Sequence, residues 1–202
     1  FSQWSAIFSA MLETVHIATL STMLTIFIAL PVSYIAAQNT TPNKVTLWIG
    51  RFILVSSRSV NTIIWALLFV AIFGPGVLAG ILAVMFRSVG FIGKLMGEAI
   101  EEIDETQVEA ITATGASRWQ VMAYGIVPQI MPAFAGIAVF RWDINIREST
   151  VLGLVGAGGI GQELKGRYDM FQYDHVATIL LIIFLSVLAL DALAAKLRRK
   201  LI

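Results

Sequence analysis

The sequence predicts an all-α fold, a polytopic bundle of about five transmembrane helices. Hydrophobic residues make up 57% of the 202 residues and charged residues only 13%. The mean hydropathy of +0.81 lies well above that of a soluble domain. Several stretches without Asp, Glu, Lys or Arg reach the roughly 20 residues that a membrane crossing needs. We therefore expect one membrane domain over residues 1–202.

The first two spans are predicted from charge-free stretches in the first half of the chain. Span A lies within residues 14–43, before the turn-like QNTTPNK, and Pro31 should kink its helix. A second charge-free stretch contains FGPGV, where Pro75 between two glycines would break any single helix. This stretch predicts two spans that meet at a turn. Span B then begins as early as Val45 and ends near Phe73.

Three further spans are predicted in the second half of the chain. Span C runs over about 77–97 and carries Arg87, which is costly inside a bilayer. Span D covers about 130–150 and contains VFRWDINIREST, while span E covers about 175–195. Loop 98–129 is too polar to cross and should form helices outside the bilayer. The glycine-rich segment between spans D and E is typical of a re-entrant or surface segment.

The orientation of the spans is predicted from Lys and Arg near their ends. Most of these residues lie between spans A and B, beside loop 98–129, and after span E, whereas the opposite side keeps only Lys165 and Arg167. Loop 98–129 and the carboxyl terminus should therefore be cytoplasmic, with the amino terminus outside. The chain begins with Phe1, and we expect an upstream span before it. The cytoplasmic set is Lys44, Arg51, Arg58, Lys94, Arg118 and KLRRK at 196–200.

Several classes of site are disfavoured by the sequence. Cysteine is absent, the two histidines are isolated, and a net charge of +1 gives no indication of nucleic-acid binding. VGAGGIG fits G-x-G-x-x-G, but the βαβ context of a dinucleotide site is missing, so a tight turn near the membrane surface is expected. GFIGK lacks the spacing of a phosphate-binding loop. We expect no catalytic residue, metal or cofactor here. The turn or gate candidates are Gly156, Gly158, Gly159 and Gly161.

Span D carries four charges at helical spacing. At 100° per residue, Arg141, Asn145 and Glu148 share one face. Asp143 and Arg147 share another face at i, i+4, the favourable order for an ion pair. Glu148 lies about two turns, or roughly 10 Å, from Arg141 along the axis. We therefore expect Arg141 to lack a comparable partner on its own helix.

Two arginines are predicted to lie close to the middle of the membrane. Arg141 should lie about 16 Å from the cytoplasmic edge and Arg87 about 15 Å from the outer edge of a core about 30 Å thick. Intramembrane charges usually face a bundle interior or a watery path, so both could line a cationic passage for a small oxyanion. Alternatively, they pair with Glu148 or with carbonyls of another helix purely for assembly. The substrate-pathway candidates are Arg87, Arg141, Asp143, Arg147 and Glu148.

Loop 98–129 has the pattern of two short helices joined by a sharp turn. EAITATG ends at Gly115, which permits such a turn, and a second short helix should expose Arg118 and Trp119. Pro128 then suits the start of a new helix. A rigid elbow of this kind could dock on a partner, and an ordinary surface loop would also fit the pattern.

The same loop resembles the signature of the membrane subunits of bacterial ABC importers: E-A-A, three residues, Gly, nine residues, Ile-x-Leu-Pro. In that family the loop is the coupling helix, which inserts into a cleft of the ATP-hydrolysing subunit. The resemblance makes Glu109, Ala110, Gly115, Arg118 and Pro128 the candidates for coupling to an ATPase. The residues on the motif are Glu109, Ala110, Gly115, Val127 and Pro128, and those that depart from it are Ile111 and Gly125.

A second stretch, FRWDINIRESTVLGLVGAGGIG, resembles the phosphonate-type permeases, which import phosphonates, phosphite or related oxyanions. FSQW at the start is similar to the family's segment after a first span. The resemblance implies a type I importer permease in the bacterial inner membrane, in contact with lipid. It also implies a homodimer, two ATPase subunits that bind ATP and Mg²⁺, and an extracytoplasmic solute-binding protein. A permease for another solute, a non-transporting scaffold and an ion-driven carrier remain as alternatives.

Overall fold

A computed structural model describes residues 2–201, with side chains for 4–200; Phe1 of the FSQW stretch lies outside them. The described chain is helical and forms nine α-helices with one π-helical and one 3₁₀ turn between them. The helices are α1 (Ser2–Ala36), α2 (Lys44–Ser59), α3 (Thr62–Phe73), α4 (Val77–Glu101), α5 (Glu105–Ala113), α6 (Arg118–Val121), α7 (Val127–Leu152), α8 (Ile160–Asp169) and α9 (Tyr173–Leu201).

Within the described residues, four helical segments are long and apolar enough to cross a membrane, or five if one bent pair counts as a span. The predicted spans A, C, D and E correspond to α1, α4, α7 and α9. Span A was placed too late, because its helix begins at Ser2 and includes Glu13. The helix continues through Pro31 to Ala36.

Span B differs most from the expectation. It consists of α2 and α3, which meet at an angle of 89°. The break comes after Ser59, where Val60 and Asn61 are extended, and the Asn61 side chain accepts a hydrogen bond from the backbone N–H of Ile63. Asparagine is among the favoured residues at a helix start. A side-chain cap therefore begins α3 without any proline or glycine at the break.

The turn predicted at FGPGV is confirmed. Helix α3 ends at Phe73 and α4 begins at Val77. Between them, Gly74 and Gly76 have φ of +84° and +148°, which L-residues with a side chain rarely adopt. Pro75 lies at the centre of this reversal, so α3 and α4 run back against each other.

Helices α1, α4 and α7 form the centre of the bundle, with α2 and α3 packed on α4 and α9 packed on α7 and α8. Ala29, Ile92 and Met96 form a buried contact between α1 and α4, and Phe134 of α7 packs against it. The outward faces of α1, α2, α3 and α9 carry exposed Leu, Ile and Phe. Such surfaces suit lipid or another apolar partner.

Helices α2 and α4 approach unusually closely. A side chain added at Gly90 would overlap the carbonyl oxygen of Leu54, and one added at Gly93 would overlap the Leu54 side chain. The Ser57 hydroxyl donates to the carbonyl of Phe86 and accepts from the Gly90 N–H at 3.0 Å. Leu54 therefore sits in a notch that only glycines leave open, which we call the α2–α4 notch.

Candidate functional site

Two arginines on different helices approach the same carboxylate. Arg141 of α7 is buried, and its Nη2 lies 3.3 Å from the nearer carboxylate oxygen of Glu148. Arg87 of α4 places its Nε 3.6 Å from the other oxygen. The Thr62 hydroxyl at the start of α3 donates to Glu148 at 2.8 Å. We call Arg87, Arg141, Glu148 and Thr62 the arginine cluster.

The prediction that Arg141 lacks a partner on its own helix is wrong. Arg141 and Glu148 do share a face of α7, as their angular spacing indicated. Their axial separation does not keep them apart, because both side chains are long enough to bridge a backbone distance of roughly 10 Å. The arginines and Glu148 pair directly, as in the alternative interpretation, and the charged cluster lies where α3, α4 and α7 meet.

A series of hydrogen bonds fixes the inner end of the arginine cluster. Arg141 Nε donates to the Ser88 hydroxyl at 3.0 Å, and Ser88 donates to the Asn145 carbonyl oxygen at 3.0 Å. Asn145 Nδ2 donates to the Thr22 hydroxyl of α1 at 2.8 Å, and Thr22 donates to the backbone of Ala18. Both hydroxyls in the series have a donor and an acceptor, which orients the Arg141 guanidinium.

One face of the Arg141 guanidinium packs against an aromatic ring. Its guanidinium carbon lies 5.1 Å from the centre of the Phe91 ring, a distance at which a cation is attracted to an aromatic face. The Arg141 side chain is only 3% exposed, whereas those of Glu148 and Arg87 are 21% and 31% exposed. Arg141 is therefore the fixed member of the cluster, and Glu148 and Arg87 form its accessible side.

The sequence indicated Asn145 on the face of Arg141 but not the contributions of Ser88, Thr22 and Thr62. Hydroxyls in apolar helices commonly bond to carbonyls of their own helix, as Thr22 does. Their contacts with other helices depend on tertiary packing and leave no pattern in the sequence. A hydroxyl beside an intramembrane arginine, as in Arg87–Ser88, is the signal that could have suggested one of them.

The predicted pair of Asp143 and Arg147 is confirmed by a direct contact. Asp143 is buried and Arg147 is exposed. They lie on a different face of α7 from the arginine cluster, near Asp191 and Arg198 of α9. This pair is neutral in sum and separate from Glu148, so the five substrate-pathway candidates divide into two groups.

The coupling candidates form the predicted elbow. Gly115 has a φ of +81° between α5 and α6, and Glu109, Ala110 and Arg118 are exposed. Trp119 is 77% exposed. The start of α6 is capped, because the backbone N–H of Ser117 donates to the Gln120 side chain at 2.8 Å. A short helix with an exposed tryptophan therefore projects from the bundle.

Pro128 lies in the first turn of α7, at the helix start that the sequence predicted, although the residues before it are also helical. Val121, Met122, Ile126 and Val127 all have right-handed helical dihedral angles, so α6 continues through the π-turn Met122–Ile126 into α7. Proline is tolerated at position 128 because this residue lies in the first turn of α7, directly after the wider π-turn. The elbow and the helix of the arginine cluster are thus one continuous element.

At the start of α5, Asp104 caps the helix. Its carboxylate accepts from the backbone N–H of Thr106 at 2.9 Å. Hydrogen bonds from the Thr106 side chain and backbone hold the pKa of Asp104 below its usual value. The backbone N–H of Asp104 in turn donates to the Gln129 side chain at 2.9 Å, which ties the elbow to α7.

The glycine turn lies against the amino-terminal part of α1. Gly156, Gly158 and Gly159 have φ between +75° and +87°. The N–H of Gly159 donates to the Glu13 carboxylate at 2.8 Å, and the N–H of Ile160 donates to the Thr14 hydroxyl at 2.9 Å. The predicted tight turn is confirmed, with glycines where side chains would be strained.

Gly161 has a different reason to be glycine. A side chain there would overlap the carbonyl oxygen of Thr150 at the end of α7. The carbonyl of Gly156 accepts from the N–H of Gly76 at 2.9 Å. The four glycine candidates therefore occupy one junction, which joins α7 and α8 to α1 and to the α3–α4 turn.

Residues 29–202 match the family model described as binding-protein-dependent transport system inner membrane component. The phosphite transport system permease protein PtxC of Stutzerimonas stutzeri is 41% identical, over 98% of this chain and 72% of the relative. The putative phosphite transport system permease protein HtxC of the same organism is 43% identical, over 92% and 66%. The chain thus spans about two thirds of the length of these relatives.

The fold has also been observed in solved structures. An inward-facing structure of the MetNI methionine ABC transporter matches with a TM-score of 0.82 at 22% identity, and the match covers 100% of this chain and 98% of that one. At this identity the likeness shows the fold alone, that of a type I importer permease. The family match covers most of the sequence, and the chain therefore belongs to the inner membrane component family of binding-protein-dependent transport systems.

Proposed function

We propose that this chain is the permease subunit of an ATP-driven importer for a phosphonate, phosphite or related small phosphorus oxyanion. The observation that carries the proposal is the arginine cluster, in which Arg87 and Arg141 converge on one carboxylate inside the bundle. Relatives described as phosphite transport system permeases at 41% and 43% identity support the choice of solute.

The charge of the cluster suits an anion. Two guanidinium groups face the single carboxylate of Glu148, which leaves a net charge of about +1. Guanidinium groups bind the oxygens of carboxylates and phosphates through paired hydrogen bonds. A second copy of the chain, related by a two-fold axis, would double this charge. The dimer would then contain a cationic passage between its two halves.

The energy source lies outside this chain in our proposal. Two partner subunits bind ATP and Mg²⁺ and hydrolyse the nucleotide. The elbow around Gly115, with Glu109, Ala110 and Arg118, docks in a cleft of one of them, and the elbow of the second permease copy docks on the other. Because α6 continues through the π-turn into α7, a displacement of the docked elbow reaches Arg141 along one helix. The first turn of α7, with Pro128, is part of this connection.

We also propose an orientation in the inner membrane. The elbow and the carboxyl terminus face the cytoplasm, where the positively charged ends of the spans belong. The junction of Gly156, Gly158, Gly159 and Gly161 then faces outward. A solute-binding protein would deliver the oxyanion to this side, and the junction would act there as a turn or gate.

Uptake by the reconstituted complex tests the function. The full chain is assembled with its ATPase subunits and binding protein in vesicles and offered labelled phosphonate, phosphite, phosphate or methionine. We expect ATP-dependent uptake of at least one phosphorus oxyanion and none of methionine. Uptake driven by an ion gradient without ATP would identify a secondary carrier instead, and no uptake of any of these solutes would contradict the proposed function.

Substitutions in the same assay test the cationic passage. Arg141→Gln and Arg87→Gln should each reduce oxyanion uptake roughly tenfold or more, since a hydrogen bond to a charged group contributes about 1.5–3 kcal/mol. Assembly and ATPase docking should persist. The double change Asp143→Asn with Arg147→Gln serves as the control and should cost less transport. Loss of the assembled complex in the single variants, or unchanged uptake in both, would favour a purely structural role.

A further inference from the structure

We propose that the Glu148 carboxylate is a resident anion of the oxyanion site. It occupies the place of the solute between Arg87 and Arg141 when no solute is present, and the oxyanion must displace it to pass. This inference rests on the proposed function and adds to it a competitor within the chain itself.

The contacts of Glu148 are those that a small oxyanion would need. Donors from three helices converge on its carboxylate: the Thr62 hydroxyl at 2.8 Å, Arg141 Nη2 at 3.3 Å and Arg87 Nε at 3.6 Å. A phosphorus oxyanion presents negatively charged oxygens of the same kind, and arginine binds both groups in the same way. Thr62 thereby becomes a member of the solute pathway that the sequence did not indicate.

The distances indicate that Glu148 can be exchanged. Tight charge-assisted hydrogen bonds between nitrogen and oxygen measure about 2.7–2.9 Å. Both arginine contacts with Glu148 are longer than this, at 3.3 and 3.6 Å. Arg141 is held from behind by Ser88 and Phe91, whereas the closest described contact of Glu148 is the one with Thr62. Both arginine contacts of the carboxylate are thus long enough for an added anion to compete for them.

The alternative is that Glu148 is a fixed counter-charge needed only for assembly. A counter-charge alone leaves one of the two guanidinium charges in the cluster without compensation. The cluster can therefore accept further negative charge, and it is partly accessible on the side of Glu148 and Arg87. The two interpretations predict different effects of replacing the carboxylate, because only a competitor lowers the affinity of the site for an added anion.

Equilibrium binding of labelled phosphite distinguishes the two interpretations of Glu148, as a competitor or as a fixed counter-charge. The full chain is assembled with its ATPase subunits in lipid nanodiscs, without the binding protein, and phosphite affinity is measured for wild type, Glu148→Gln and Glu148→Asp. The control is Glu98→Gln, which removes an exposed carboxylate paired with Lys94 at 3.2 Å. Inorganic phosphate provides a second probe.

We expect Glu148→Gln to bind phosphite about tenfold tighter than wild type or more, because a site occupied by its own anion binds a ligand in proportion to the fraction of time it is free. Glu148→Asp, which keeps the charge on a shorter side chain, should lie between the two. Glu98→Gln should match wild type. The tighter binding should disappear when Arg141→Gln is added to Glu148→Gln.

Equal or weaker phosphite binding by Glu148→Gln would overturn the inference. If Glu148→Gln fails to assemble, the Glu148→Asp variant provides the test. A phosphite affinity equal to that of wild type in Glu148→Asp would contradict the idea that the carboxylate competes with the solute. Failure of the proposed function would give a different result: the wild-type complex with its binding protein would import no phosphorus oxyanion. If wild type imports phosphite and Glu148→Gln binds it no tighter, only the resident anion is excluded.

Discussion

Substitution of Gly115 tests whether the turn between α5 and α6 holds the elbow in its docking conformation. The residue has a φ of +81°, and a Cβ added there would meet no described atom within 4 Å. The cost of a side chain is therefore conformational rather than steric. For an L-residue in the left-handed region it is about 1–2 kcal/mol, which is less for asparagine and more for a β-branched residue.

This cost should appear in the affinity for the ATPase subunit. All 9 residues of α5 are at least partly exposed, so a distorted turn can relax without disturbing the membrane bundle. Docking must then restore the native turn, and a cost of about 1–2 kcal/mol lowers the affinity roughly five- to thirtyfold. We expect Gly115→Asn to be nearly neutral, Gly115→Ala to fall in this range, and Gly115→Val to be weakest.

The assay is binding of the purified ATPase subunit to the permease in nanodiscs, together with solute-stimulated ATP hydrolysis. Gly166→Ala is the matched control, because Gly166 lies in α8 without a positive φ, and a Cβ there also meets no described atom within 4 Å. All variants should reach the membrane in equal amounts. Wild-type affinity and stimulated hydrolysis in Gly115→Val would refute the reasoning.

The fold supports three more predictions. A reporter fused after Lys200 should be active in the cytoplasm; activity only on the outer side would contradict the orientation. Gly80→Ala should lower thermal stability by about 1–3 kcal/mol, because its Cβ would overlap the carbonyl oxygen of Ala157; an unchanged melting temperature would exclude this close packing. Asp104→Ala should lower the amide protection factor of Thr106 at neutral pH, and equal protection would contradict the cap. Because the pKa of Asp104 is lowered in the folded state, the difference should close as pH falls through that pKa.

The spans were predictable where one local rule decides the structure. A charge at mid-bilayer is costly, so long apolar stretches with few charges identified α1, α4, α7 and α9. The end of α3 and the start of α4 were predictable from the five residues FGPGV alone, because Pro75 lies there between two glycines. The elbow at Gly115 was predicted in the same way, from a glycine that permits a left-handed turn.

Features that depend on packing between helices were not predictable. The break after Ser59 has no proline or glycine, and only the cap at Asn61 could have suggested it. The pairing of Arg141 with Glu148 was predicted only as an alternative, because helix geometry fixes where side chains start but not how far they reach. Thr62 joined the cluster through the 89° bend, which no periodic pattern records.

The α2–α4 notch has a mechanical consequence. Moving α2 along α4 by one residue, about 1.5 Å, would take Leu54 out of the space left by Gly90 and Gly93 and press it against neighbouring side chains. Sliding between these two helices is thus blocked in both directions. We expect α2 and α4 to move as one rigid body during transport, with α3 attached through the turns at Asn61 and Pro75.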